Sequence, residues 1–188
     1  MKYTAIIVFL LFFLSVCGYV GWRIWHILPF FSPVRWIVVG VLLLFIVCFF
    51  TNFIFGLDSR PMPIAITLYE LGNSSVFIGL YLAMLFLVLD MGRLLRLVPH
   101  SLLYDSRAGT ASVAVVMTGL FVYGYLHYLH KERVPLTLKA TKTMRRRHRM
   151  VMMTDLHLGY HNRADEFRKW VDSVNREQPE LVLIAGDI

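Results

Sequence analysis

Met150-Val151-Met152-Met153-Thr154-Asp155-Leu156-His157-Leu158-Gly159 is a short apolar run that passes directly into Asp-x-His-x-Gly. A second apolar run, Leu181-Val182-Leu183-Ile184-Ala185, leads into Gly186-Asp187-Ile188. Between the two, Phe167, Trp170, Val171 and Val174 recur at i, i+3, i+4 and i+7, which places them on one face of a helix. Asn162-Arg163-Ala164-Asp165 offers that helix a cap with an acid three residues on, close to a capping box. Gln178-Pro179 stops it. The pattern predicts a strand over 149–154, a helix, and a strand over 180–185, which is a βαβ unit. The second strand is apolar at nearly every position, as expected of a parallel strand buried on both faces.

A βαβ crossover puts its two parallel strands in one sheet, so their carboxyl ends open on the same edge, where α/β sheets bind ligands. Those ends carry Asp155 and His157 on one side and Asp187 on the other. Asp155 and His157 are two apart, so in a continued strand their side chains project the same way. Two carboxylates and an imidazole suit Mn, Fe, Zn or a similar divalent ion. A carboxylate at Asp187 is placed to bridge two metals about 3.5–4 Å apart, the arrangement that activates water and clamps a phosphoryl oxygen. Gly159 and Gly186 leave room for a tight backbone. The plainer alternative is a βαβ unit with polar residues at its strand ends and no metal.

Asp-x-His alone is a weak signal. Asp-x-His-x-Gly after an apolar strand, followed by helix, strand and Gly-Asp, is much more specific. With that set of features, residues 149–188 resemble the start of a calcineurin-like metallophosphoesterase domain, of the bacterial membrane-anchored type. The resemblance implies two divalent metal ions, with Asp155 and His157 as ligands of the first and Asp187 as the bridging ligand, and a phosphate-ester substrate. The family continues with Gly-Asn-His-(Asp/Glu), a further His and Gly-His-x-His, none of which occurs in these 188 residues. His148 and His161 do not match those positions. The expectation is therefore an incomplete form of a longer enzyme, inactive by itself. A non-catalytic four-helix membrane protein with a vestigial phosphoesterase remnant is the competing reading.

Upstream, the composition changes character. The chain is 57% hydrophobic and 16% charged, with mean hydropathy +0.62, where soluble domains carry roughly 25% charge. Four stretches lack Asp, Glu, Lys and Arg altogether: about 3–22, 36–57, 71–89 and 108–130. About 20 helical residues at ~1.5 Å each cover a ~30 Å hydrocarbon core, and lipid permits only backbone that is internally hydrogen-bonded. All four are predicted as transmembrane helices. The first has a basic start but an apolar core too long for a signal peptide, and no convincing cleavage site precedes Arg23. The expected fold is thus a membrane all-α region (1–131) with four helices, a basic linker (132–148), and a truncated α/β (βαβ) start of a metallophosphoesterase sandwich (149–188).

The formal charge of +7 would suggest nucleic acid, but its placement argues against that partner. Eight of the nineteen Lys and Arg fall in 131–149, just past the last apolar run, where basic segments meet anionic lipid headgroups. Lys2, Arg60 and that tail outnumber Arg23, Arg35, Arg93, Arg96 and Arg107 by ten to five. By the positive-inside rule both termini, and with them the C-terminal domain, are cytoplasmic, in a multi-pass protein of a bacterial inner (plasma) membrane. Trp22, Trp25, Trp36, Tyr125 and Tyr128 lie near span ends, at headgroup level. Gly79, Gly119 and Gly124 are candidate close helix contacts. Asp90 and Arg93 read as a local i,i+3 pair near the surface. His127 and His130 read as interfacial, and Cys17 and Cys48 as small apolar helix residues.

Overall fold

The computed structural model describes residues 2–139, 141–142 and 145–186. Helices α1 (Lys2–Ile27), α2 (Ser32–Phe55), α3 (Met62–Leu94), the short α4 (His100–Leu103) and α5 (Arg107–Leu129) come first, then β1 (Met150–Thr154), α6 (Ala164–Arg176) and β2 (Leu181–Ala185). The chain divides into two compact units, Met1–Ser59 with Leu71–Lys131, and Arg60–Glu70 with Glu132–Ile188. The fold is mostly helical, with four helices long and apolar enough to cross a membrane and one small two-stranded sheet.

The long helices wear their apolar side chains outward. Leu11, Phe12, Leu43, Phe53, Val115 and Leu126 are all exposed, and α2 has no buried residue at all. Contiguous apolar surface on this scale suits lipid rather than water as the solvent. The packed interior is small: Val20, Ile24, Ile27 and Leu28 of α1 and its C-terminal end meet Leu82, Ala83 and Phe86 of α3 and Leu103 of α4. The α1 residues recur at i, i+4 and i+7, one stripe facing inward.

All four long helices overrun the charge-free stretches, α2 through Arg35 and α5 by beginning on Arg107. α1 continues through Arg23 to Ile27, and α3 begins at Met62 and carries Glu70 inside it. Apolarity decides which turns lie in lipid, but hydrogen bonding and breakers decide where a helix ends. Here Pro61 and Pro63 fit the N-terminal turn, where a missing N–H costs nothing, and Pro61 O accepts from the amides of Ile64 and Ala65 at 3.0 Å each. At ~1.5 Å per residue the 33 residues of α3 span about 50 Å, more than a ~30 Å hydrocarbon core requires.

The close helix contacts are not at the expected glycines. A Cβ at Gly79, Gly119 or Gly124 would meet nothing within 4 Å. The tight approaches are Gly72, where a Cβ would come within 2.9 Å of Phe49 Cα, and Gly109, where it would run into the Leu102 carbonyl. Spacing in sequence does not say which face of a helix meets a neighbour. Beside Gly72, the buried Ser75 hydroxyl donates to its own helix at Gly72 O (2.6 Å). The end of α1 is closed by the segment leading into α5. Asp105 N donates to His26 O at 2.8 Å, while Ser106 N and Thr110 Oγ1 donate to Ile27 O, each at 3.0 Å. These satisfy carbonyls that a helix end otherwise leaves open. Ser106 also caps α5, accepting from Gly109 N at 3.0 Å.

Asp90 does not pair locally with Arg93. Its carboxylate accepts from Nε of Arg23 on α1 at 2.7 Å, from a second Arg23 nitrogen, and from Tyr19 Oη at 2.6 Å. An arginine on the inward stripe of α1 must bring its counter-charge from a neighbouring helix, because the inward stripe faces that helix.

In the second unit β1 and β2 are parallel, in register from Met150↔Leu181 to Thr154↔Ala185, with α6 between them in sequence. The predicted βαβ order is present. Phe167, Trp170, Val171 and Val174 are all half-buried, and the rings of Phe167 and Trp170 meet edge to face at 6.5 Å. The helix start differs from the capping-box expectation: Arg163 is the N-cap and makes no side-chain cap bond. β2 is not buried on both faces. Leu181, Val182, Leu183 and Ile184 are exposed, because among the described residues the sheet has two strands and its single crossover helix leaves surface uncovered on both. The stretch 134–138 forms no strand; Val134, Leu136 and Leu138 are exposed.

Candidate metal-binding loop

β1 ends at Thr154, so Asp155 and His157 stand in a loop rather than in a continued strand. Both have left-handed backbone, φ 51° and 43°. The strand alternation that would aim the two side chains alike does not operate there. Non-glycine residues rarely adopt this region, and at ~1–3 kcal/mol each such conformations persist only where the surroundings impose them. Three contacts do so. Asp155 N donates to Ala185 O at 3.2 Å, prolonging the ladder by one bond beyond the last strand pair. The Leu156 side chain is buried, 5% exposed, and pins the loop between its two polar neighbours. Asn162 then closes the loop: its amide donates to Leu156 O at 2.9 Å, and its own carbonyl accepts from Gly159 N at 3.0 Å. Asn162 thus serves the loop instead of capping α6. The sequence signal for this was an Asn one position before the N-cap.

The loop brings Asp155 to the tip of β2. Gly186 has φ +88°, and a Cβ there would lie 2.9 Å from Asp155 Oδ1 and 3.3 Å from Asp155 Cγ. Glycine is needed twice over, for its conformation and because the carboxylate of the adjacent strand tip occupies the side-chain position. Asp155 and His157 are both exposed. Asp187, the third predicted ligand, lies outside the described residues. Among the described residues no group of three or more His, Cys, Asp or Glu side chains is placed to hold a metal ion. Asp155 and His157 offer a hard oxygen and a borderline nitrogen from one loop, which fits a divalent ion of the Mn, Fe or Zn kind as a partial ligand set.

At the opposite end of the sheet, Glu180 ties the basic segment to β2. Its Oε2 meets His148 Nδ1 at 2.8 Å and accepts from Arg146 at 3.0 Å, and its backbone N donates to Arg149 O at 2.8 Å. The hydrogen bond with His148, helped by the charge of Arg146, holds the Glu180 carboxyl below its ordinary value. Glu177 is likewise reached by Arg133 at 3.1 Å. Part of the basic linker is therefore neutralised by carboxylates of its own unit.

No family model matches this chain, and no curated protein and no solved structure matches it.

Proposed function

We propose that the C-terminal residues form part of a metal-dependent phosphoester hydrolase carried on a four-helix membrane anchor. Its substrate class is a phosphomonoester, phosphodiester or pyrophosphate. The observation that carries this reading is the seating of Asp155 against Gly186, which puts a carboxylate and a glycine of positive φ at neighbouring tips of a parallel strand pair. Resemblance of Asp-x-His-x-Gly and Gly-Asp to the calcineurin-like metallophosphoesterases supports it. In this reading Asp155 and His157 would hold one divalent ion, and Asp187 would supply the further carboxylate that a second ion needs. Bound ions supply an activated water and stabilise charge on the phosphoryl group. The chain's own residues do the positioning: Asn162 and Leu156 fix the loop, and Gly186 leaves space for the carboxylate. The basic segment around 139–149 lies against anionic headgroups of the cytoplasmic leaflet, and the substrate is met at the membrane surface.

The test uses the full chain in mild detergent with Mn and inorganic phosphate, the product common to monoester and pyrophosphate cleavage. The expected result is retention of phosphate that increases with Mn, an increment abolished by Asp155→Ala. An increment that Asp155→Ala leaves intact, or no increment at all, would contradict the assignment.

A further inference from the structure

One end of the membrane bundle concentrates cationic and aromatic groups that anchoring does not require. Arg23 is 5% exposed, and its Nε and one terminal nitrogen are spent on Asp90. Its other terminal nitrogen, Nη1, is buried and has no acceptor among the described residues. Leaving a charged donor unmatched is costly. Arg93, half-buried, donates to Tyr104 Oη at 3.2 Å, and among the described residues no carboxylate reaches it. Both guanidinium groups pack on the same Tyr104 ring, at 5.9 and 5.4 Å from its centroid, and Arg23 also lies 4.5 Å over Trp22. The cluster therefore holds two cations but one carboxylate, which Arg23 alone engages.

The depth of this cluster is fixed by the helices. Arg23 lies four residues before the last residue of α1, about 6 Å along the axis, and Arg93 is next to last in α3. Trp22, Trp25, Trp36 and Tyr104 surround the same end, as aromatic rings do at headgroup level. Guanidinium forks are suited to phosphate, which accepts paired N–H donors in one plane.

We infer that the Arg23–Arg93–Tyr104 cluster is a binding site for a phosphate group, with Arg93 as the open donor and Arg23 fixed in place by Asp90. It stands independently of the phosphoester reading: it lies in the membrane unit, at the end of the bundle from which α5 departs. The group can arrive on an anionic phospholipid or as free phosphate. Native mass spectrometry of the full chain in mild detergent separates the two, with EDTA present so that no divalent ion contributes. One arm adds phosphatidylglycerol and the other inorganic phosphate. The expected result is one retained phosphatidylglycerol, bound about tenfold more weakly by Arg93→Gln and with intermediate strength by Arg93→Lys. Arg96→Gln, which removes an exposed arginine at the same end, leaves binding unchanged. Retention of inorganic phosphate alone, weakened by the same variants, identifies the free anion as the source and supports the site. Retention of neither probe, or equal weakening by Arg93→Gln and Arg96→Gln, overturns it. Helical circular dichroism confirms that each variant is folded, and Arg93→Lys carries the test if Arg93→Gln is not.

Discussion

Removing the Asp90 carboxylate tests the packing of the membrane unit most sharply. The side chain of Arg23 is 6% exposed and that of Asp90 23%. In Asp90→Ala the guanidinium stays where α1 puts it, on the inward stripe beside Val20 and Ile27, with no counter-charge. Breaking buried pairs costs about 3–5 kcal/mol. Asp90 is nearly a quarter open and Tyr19 loses only a hydrogen bond, so the low end, about 3 kcal/mol, applies. That is roughly a hundredfold on the folding equilibrium. The assay is loss of helical circular dichroism in mild micelles titrated with a denaturing detergent. Arg23→Met/Asp90→Leu removes both charges and fills the space, so it recovers most of the loss. If Asp90→Ala lies within about 0.5 kcal/mol of the parent, or the double variant costs the sum of the single ones, the interhelical pair is not what holds α1 to α3.

Further outcomes follow from other contacts. Gly186→Ala meets both a positive φ and the Asp155 carboxylate, and is expected to cost more than the ~1 kcal/mol of the conformation alone, read as earlier thermal loss of the β signal. Gly109→Ala, pressed against the Leu102 carbonyl, destabilises the bundle in the same detergent titration, whereas Gly119→Ala, with open space around it, is neutral or stabilising. The lowered Glu180 pKa fixes the sign of a pH effect: its contribution is full above the ordinary carboxyl value of 4.5 and disappears as pH falls through the depressed folded value. Glu180→Gln should therefore melt earlier than the parent at neutral pH and converge with it once pH has fallen below the depressed folded value, the converse order arguing that the His148 and Arg146 contacts do not form.

Much of the architecture is legible in the sequence, for physical reasons. Lipid solvation demands long charge-free helical runs, so the four helices long and apolar enough to cross a membrane are visible as gaps between charges. Two continuous apolar runs on either side of a segment with helical period mark the βαβ unit, and the α6 face of Phe167, Trp170, Val171 and Val174 is half-buried as its spacing requires. What escapes is what depends on helix rotation. Nothing local distinguishes Arg93 from Arg23 as the partner of Asp90, and nothing in the spacing of Gly79, Gly119 and Gly124 shows that Gly72 and Gly109 make the close approaches. The loop after β1 is intermediate. Asp155 and His157 stand out as polar residues after an apolar strand, but their left-handed backbone follows from the ladder bond to Ala185, the burial of Leu156 and the Asn162 clip, which only the folded chain reveals.

The measurement closest to the central claim is electron paramagnetic resonance of Mn titrated into the full chain, comparing the parent with Asp155→Asn and His157→Gln. A bound Mn that shows coupling to an imidazole nitrogen, weakened by the first variant and stripped of that coupling by the second, is what the proposed function predicts. Bound Mn with an unchanged spectrum in both variants, or no bound Mn in the parent, would place the cation elsewhere or nowhere and remove the basis for a metal-dependent hydrolase.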